Sequence, residues 1–255
     1  KSQGRSAETA DSRRITVFKP LPRLLDPKGF VRFDDCIESF VADLDANSEL
    51  LIGCHLADEP VLQDFVQRMH QRYPEADVNL VVHANPNRYI HPKVSWLHIM
   101  ARHATGELWL WSDSDIIAPP GTIRSLRADF HTTQARLVTS PYIINRGGNS
   151  AELLDALYVN MEHYPGVVLL NYLNLTRVAL GAGMLFEAED LRREIEWDVL
   201  GGCLSEDFYL GQTLGPAHVA STRLSTKPSV ANWPKAIAHY MRWQKTIRWC
   251  RPGGY

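Results

Sequence analysis

Strand-like and helix-like stretches alternate along the first 140 residues. Short runs of apolar and β-branched residues fall at 15–21, 49–55, 77–82, 108–111 and 136–140, each long enough for one strand. Between the first four lie 33–44, 60–73 and 96–104, where apolar residues recur at helical spacing; in the second of these Leu62, Phe65, Val66 and Met69 share one face. Uninterrupted apolar strands separated by amphipathic helices predict an α/β fold, a mostly parallel sheet with helices on both faces. Local signals agree: Asp58, Glu59 and Pro60 suit a first helical turn, Pro74 stops that helix, and Gly106 falls where a helix ends before the next strand.

The second half is less regular. It predicts a helix at 151–163, a strand at 183–188, a helix at 206–214, a strand at 219–224 and a helix at 233–249, with no internal repeat. Residues 1–14 are polar and aperiodic and read as a flexible tail or trimmed linker, leaving 15–255 as a single domain. A hydrophobic content of 45% with 22% charged residues excludes wholesale disorder, collagen-like repeats and a disulfide scaffold.

Charge is distributed unevenly. All 29 acidic residues lie within 1–207, whereas 208–255 has seven basic residues and no acidic one, so this last segment is expected to meet anions. Cys36, Cys54, Cys203 and Cys250 are widely spaced, which leaves no CxxC pair for zinc or dithiol chemistry and fits a reducing cytoplasmic setting. The longest apolar run, 167–175, has nine residues and includes two asparagines, short of the roughly 20 a membrane span needs.

Three segments combine residue types that carry chemistry. In Leu108-Trp109-Leu110-Trp111-Ser112-Asp113-Ser114-Asp115 two carboxylates follow a buried strand; on extended backbone they point the same way, at the carboxyl end of the sheet where open α/β folds bind ligands. Such a pair suits Mg²⁺ or Mn²⁺ bridging a diphosphate, the alternative being an exposed Asp-rich turn. In Ser205-Glu206-Asp207, Ser205 fits an N-cap with both acids in the first turn, and a carboxylate held there also suits a general base. The helix His239 to Trp249 interleaves cations with aromatics, a pattern suited to a diphosphate with a stacked sugar or to a membrane surface. The acidic overall balance and the lack of a nucleic-acid motif argue against nucleic acid as a partner.

Lys19 and Lys93 sit near predicted strand ends as candidate donor-binding cations, and Asp77 opens a strand as a candidate contact to a base or ribose. There is no HExxH, GxGxxG or GxxxxGK, which argues against a zinc hydrolase, a dinucleotide enzyme and a P-loop NTPase. Ile116-Ile117 after the second aspartate departs from the haloacid-dehalogenase pattern.

Taken in order, Asp77, Asp113-Ser114-Asp115, Glu206-Asp207 and Arg242-Trp243 resemble the D, DxD, (E/D)D, (Q/R)xxRW series of membrane glycosyltransferases with the GT-A fold. Together with Val17-Phe18-Lys19-Pro20-Leu21 and His91-Pro92-Lys93-Val94, they resemble the ceramide glucosyltransferase family, including its bacterial hopanoid-biosynthesis members, over residues 15–255. The resemblance implies a UDP-sugar donor carrying glucose or N-acetylglucosamine, a divalent metal, and inverting transfer to a lipid hydroxyl of hopanoid or ceramide type. It implies further that Asp77 contacts uridine, Asp113 the ribose or metal, Asp115 the metal and Arg242 the diphosphate. Asp207 would be the base, with Glu206 and Trp243 on the acceptor side beside His239, which stands where the series has Gln or Arg. The family sits at the cytoplasmic membrane face and normally has membrane spans on both sides of its catalytic domain, so the chain reads as a trimmed catalytic domain. A sugar nucleotidyltransferase and a non-catalytic sugar-nucleotide or headgroup binding module are the alternatives.

Overall fold

The computed structural model describes residues 12–24, 31–145, 147–173, 177–228, 230 and 232–250; most of the expected tail, 1–11, and the end of the basic segment, 251–255, lie outside them. The first half follows the expected alternation: β1 (Ile15–Pro20), α1 (Val31–Val41), β2 (Ser48–His55), α2 (Glu59–Arg72), β3 (Asp77–His83), α3 (Pro92–Met100) and β4 (Leu108–Trp111). Then come β5 (Ile116–Ile117), α4 (Thr122–Thr133), β6 (Leu137–Thr139), β7 (Tyr142–Ile144), α5 (Ser150–Leu157), α6 (Tyr164–Tyr172) and β8 (Met184–Glu187). The chain continues through α7 (Ala188–Glu194), α8 (Trp197–Gly202), α9 (Glu206–Leu214), β9 (His218–Val219), β10 (Leu224–Thr226) and α10 (Trp233–Cys250).

The main sheet has the order β3-β2-β1-β4-β8-β6-β9. Strands β1 to β4 are mutually parallel, as expected. Side chains alternate between two cores: Ile15, Val17, Leu50, Ile52, Leu108 and Leu110 pack with Ile37, Phe40, Leu62, Phe65, Ile123 and Leu126 from α1, α2 and α4. Phe18, Leu51, Trp109, Trp111 and Phe186 face the other way, onto α3 and α7 to α9. Burying both faces leaves no alternation of polar and apolar residues to see, which is why these strands read as continuous apolar runs. At about 1.5–3 kcal/mol for each fully buried large apolar side chain, these two layers dominate the favourable side of folding.

Four details depart from the expectation. The strand at 136–140 is not next to its parallel partners, because antiparallel β8 lies between β4 and β6; apolar periodicity has no information on strand direction. The single strand expected at 219–224 is two: β9 pairs with β6, whereas β10 joins a small second sheet with β5 and β7. Helix α3 begins at Pro92 rather than 96, since proline at the first position presets the backbone; this puts Lys93 in the first turn. The helix expected at 151–163 continues to Tyr172 through a π-helical stretch, Tyr158–His163.

Residues 13 and 14, read as tail, are tied to the sheet: Leu108 N–H donates to the Arg14 carbonyl, and Arg13 pairs with Glu187 at 2.5 Å.

Candidate active site

Strand order reverses between β1 and β4, so the chain parts there at the carboxyl end of the sheet and leaves a crevice. The loop after β4 carries Asp113 and Asp115 into it. Beneath the loop, fully buried Lys19 at the end of β1 donates to Ser112 Oγ (3.0 Å) and to the carbonyls of Asp113 (2.8 Å) and Ile116 (3.2 Å). Burial pulls its pKa down to about 7. From above, Thr226 Oγ1 donates to the Asp115 carbonyl at 2.8 Å.

Helices α3 and α9 point their first turns at the same place. Lys93 lies between Asp113 Oδ1 and Glu206 Oε1, 2.5 Å from each, and His91 Nε2 lies 3.1 Å from Glu206 Oε2. Burial opposes charge on Lys93, but the two carboxylates hold its pKa well above the usual lysine range. Glu206 resists burial in the same way: Lys93 and then His91 keep its carboxyl far below the ordinary value. Burial pushes Asp113 up, with Lys93 opposing and Glu206 and Asp115 adding to the rise.

Ser205 occupies the N-cap of α9, but its hydroxyl donates to Asp207 Oδ1 instead of capping the backbone. Asp207 Oδ1 also accepts Phe208 N–H (2.7 Å), and Oδ2 accepts Gly181 N–H (3.1 Å). Burial, reinforced by the charge of Glu206, raises Asp207 to about 6. Gly181 marks where these groups converge: a Cβ there would lie 3.2 Å from Lys93 Nζ, 3.3 Å from Asp113 Oδ2 and 3.5 Å from Asp207 Oδ2.

Two cavities border this cluster, one lined by Lys93, Asp113 and Asp115 and the other by Ser205 and Asp207. A cleft of about 600 Å³ with a mixed wall has Arg23, His55, Asn87, Lys93, Asp113 and Asp115 beside apolar Leu21, Phe33 and Trp96. A pocket of about 220 Å³ lies behind Asp207, lined mainly by apolar groups, among them Val167, Leu170, Leu180, Phe208, Trp243 and Ile247.

Of the expected site residues, Asp113, Asp115, Lys93 and Asp207 come together, with Glu206 behind them and Trp243 in the apolar pocket. Others do not. Asp77 is at the amino end of β3, in the row Asp77, Glu49, Thr16, Trp109, which is four residues short of Asp113 and three strands away. At 3.3 Å per residue and about 4.8 Å per strand this is roughly 20 Å from the cleft, and Asp77 is instead bound by Arg14 (2.5 Å) and Asn79 (2.7 Å). Glu206 is 6% exposed and engaged by Lys93 and His91, so it holds a cation rather than facing an acceptor. His239 has both ring nitrogens occupied: Nδ1 lies 2.7 Å from Asp155 Oδ1, and Nε2 accepts the Trp243 indole N–H at 3.0 Å. Arg242 is exposed and lines neither cavity, because α10 packs through Ala236, His239 and Trp243 and turns its neighbour outward. Lys19 lies under the floor of the cleft, not in its wall.

His91, Gly181 and Ser205 complete the cluster; the sequence offers His91 only as part of a motif and Ser205 only as an N-cap, and assigns none of the three to the site. Adjacency to Lys93 and Asp207 was a signal for the first and last, whereas Gly181 had none, since its part depends on three segments distant in sequence.

The donor set fits a hard divalent cation. Asp113 and Asp115 offer carboxylate oxygens to an open cleft, the Asp113 side chain is 41% exposed, and the glycine cradle leaves room beside it. Among the described residues no group of three or more His, Cys, Asp or Glu side chains could hold a metal, so a bound diphosphate would have to supply further oxygens.

Sheet order, crevice and paired carboxylates define an α/β domain of the GT-A glycosyltransferase class. The chain belongs to glycosyl transferase family 21, whose profile matches residues 2–255. Among solved structures it is similar to a mannosyltransferase from Pyrobaculum calidifontis in complex with GDP-Man and Mn²⁺, at 17% identity and TM-score 0.58, over 92% of this chain and 64% of that one. It is similar also to glucosyl-3-phosphoglycerate synthase from Mycobacterium tuberculosis in complex with Mn²⁺ and UDP-glucose, at 19% identity and TM-score 0.52, over 97% and 84%. Staphylococcus aureus TarS in complex with UDP-GlcNAc matches at 11% identity and TM-score 0.53, over 93% and 65%. At these identities the likeness establishes the fold. The chain thus spans under two thirds of the length of the first of these structures. Comparison with curated proteins gives no match.

Proposed function

We propose that the domain transfers a sugar, glucose or N-acetylglucosamine, from UDP to the hydroxyl of a hopanoid- or ceramide-like lipid, with inversion, at the cytoplasmic face of a membrane. The observation behind this reading is that Asp207 lines an apolar pocket suited to a lipid and shares the surroundings of Gly181 with Lys93 and Asp113, which line a cleft suited to a nucleotide diphosphate. A nucleotidyltransferase would have no use for the apolar pocket.

The chain's own groups divide the work. Asp113 and Asp115 would hold Mn²⁺ or Mg²⁺, which when bound supplies positive charge to the leaving diphosphate. Lys93, fixed by Glu206, presents a permanent cation at the same place. Asp207 Oδ1 is occupied by two donors, so Oδ2 is the atom that takes the acceptor's proton. As it does, the acceptor oxygen bonds to the anomeric carbon, the bond from that carbon to the diphosphate breaks, and UDP departs with the electron pair. A carboxyl poised near neutrality serves this role better than one at its ordinary value.

Lipid at the apolar pocket implies a nearby bilayer. Helices α6 and α10 both line the pocket, and around them Leu169 (57%), Tyr172 (81%) and Trp249 (78%) are exposed alongside Arg242 and Lys245. Among the described residues no helix is long and apolar enough to cross a membrane.

A UDP-release assay over a panel of UDP-sugars, with and without Mn²⁺, in mixed hopanoid and sphingolipid acceptors tests the reading. Release requiring one sugar, one lipid and the metal is expected. UDP binding with no release under any combination would favour a binding module.

A further inference from the structure

Lys19 is kept where an ammonium is costly. It is fully buried, and among the described residues no carboxylate lies within ion-pair distance of its Nζ; its partners are a hydroxyl, two carbonyls and the face of Phe40, 3.7 Å from the ring centroid. Burying a charge whose hydrogen-bond partners are all neutral is unfavourable even with Asp115 and Asp113 nearby to favour it, and a methionine would fill a similar space without that charge. Packing therefore does not call for this residue.

The backbone that it holds gives a reason. All three hydrogen-bond acceptors belong to residues 112–116, the loop that presents Asp113 and Asp115. One of them, Ser112 Oγ, donates onward to the Ala182 carbonyl at 2.8 Å. Ala182 follows Gly181, whose N–H holds Asp207 Oδ2. A single ammonium thus connects the carboxylate loop to the segment that holds the base.

We propose that Lys19 is a positioning residue: it preorganises the 112–116 loop for a metal-bound diphosphate and, through Ser112, sets that loop against the 181–183 segment and Asp207. This rests on the donor-cleft reading above. It differs from direct donor contact in what it predicts, because the nucleotide's own contacts are left intact while the gain from metal is lost.

The test measures UDP affinity by calorimetry with and without Mn²⁺ for wild type, Lys19→Met and Ser112→Ala, together with thermal melting. Lys19→Met is expected to melt below the wild-type temperature, since it strips the donor from three buried acceptors, to bind UDP without metal within about twofold of wild type, and to lose about 10–100-fold in affinity when Mn²⁺ is present, the range typical of groups that orient metal ligands. A wild-type ratio of metal-free to metal-bound affinity in Lys19→Met would overturn the proposal. If Lys19→Met fails to fold, Ser112→Ala decides: a reduced ratio supports the proposal and an unchanged one refutes it. Wild type that binds UDP no better with Mn²⁺ removes the donor-cleft reading itself, and this inference with it.

Discussion

Asp207 accepts three hydrogen bonds and still lies in a field that favours its protonated form, because burial and Glu206 outweigh those donors. Replacing it with asparagine should lower kcat by about 10²–10⁴-fold while leaving UDP affinity nearly unchanged; steady-state kinetics beside calorimetry checks both halves. The same carboxyl determines an acid limb. A base must be deprotonated to act, so turnover should be half-maximal near the raised value of about 6, level off about one unit above it, and approach a tenfold fall per unit about one unit below it. A limb near pH 4 in a pH–rate profile, the ordinary carboxyl range, would mean that burial and Glu206 do not raise Asp207 in the working enzyme. At Gly181 a methyl group would press on Lys93 and Asp113 and touch Asp207. Gly181→Ala is therefore expected to cut turnover roughly 10–100-fold by displacing reacting groups, with a melting temperature close to wild type.

At the scale of elements, the site is made by two helix starts and one loop. Helix α9 comes close enough to the 177–179 backbone that a Cβ on Gly211 would lie 2.3 Å from the Arg177 carbonyl oxygen and 2.9 Å from Ala179 N. Gly211→Ala should force the helix away and cost about 1–3 kcal/mol of stability, seen as a lower denaturant midpoint at unchanged slope. The start of α9 was legible, because serine followed by two acids is a local signal. The start of α3 at Pro92 was equally local but was placed too late. The orientation of α10 was not legible: His239, Arg242 and Trp243 are close in sequence, yet packing against α5 turns His239 and Trp243 inward and leaves Arg242 outside.

For the whole molecule, the exposed α10 cations Arg242 and Lys245 and the exposed apolar residues of α6 and α10 belong to the two helices that line one cavity. If this surface meets a bilayer, the protein should bind vesicles containing anionic phospholipid more tightly than neutral ones, and added salt should weaken that binding. Trp249→Ala combined with Tyr172→Ser should reduce vesicle binding severalfold in a sedimentation assay without changing UDP affinity. Equal binding to both vesicle types would remove the electrostatic part of this reading.

The alternation of buried strands and amphipathic helices, the carboxylate pair after β4 and the acids at the head of α9 were all determined by sequence, since each depends on residues within a turn or a strand of one another. Tertiary structure decided the rest. Asp77 lies at the far end of a parallel sheet, a matter of strand direction that apolar periodicity does not encode. Lys19 passes beneath the site rather than into it because β1 and β4 are neighbours. Gly181 matters because three segments, 93, 113 and 207, converge on a residue with no side chain of its own. Contacts between distant segments arise from the packing of the whole chain, so the pattern of any one segment does not contain them.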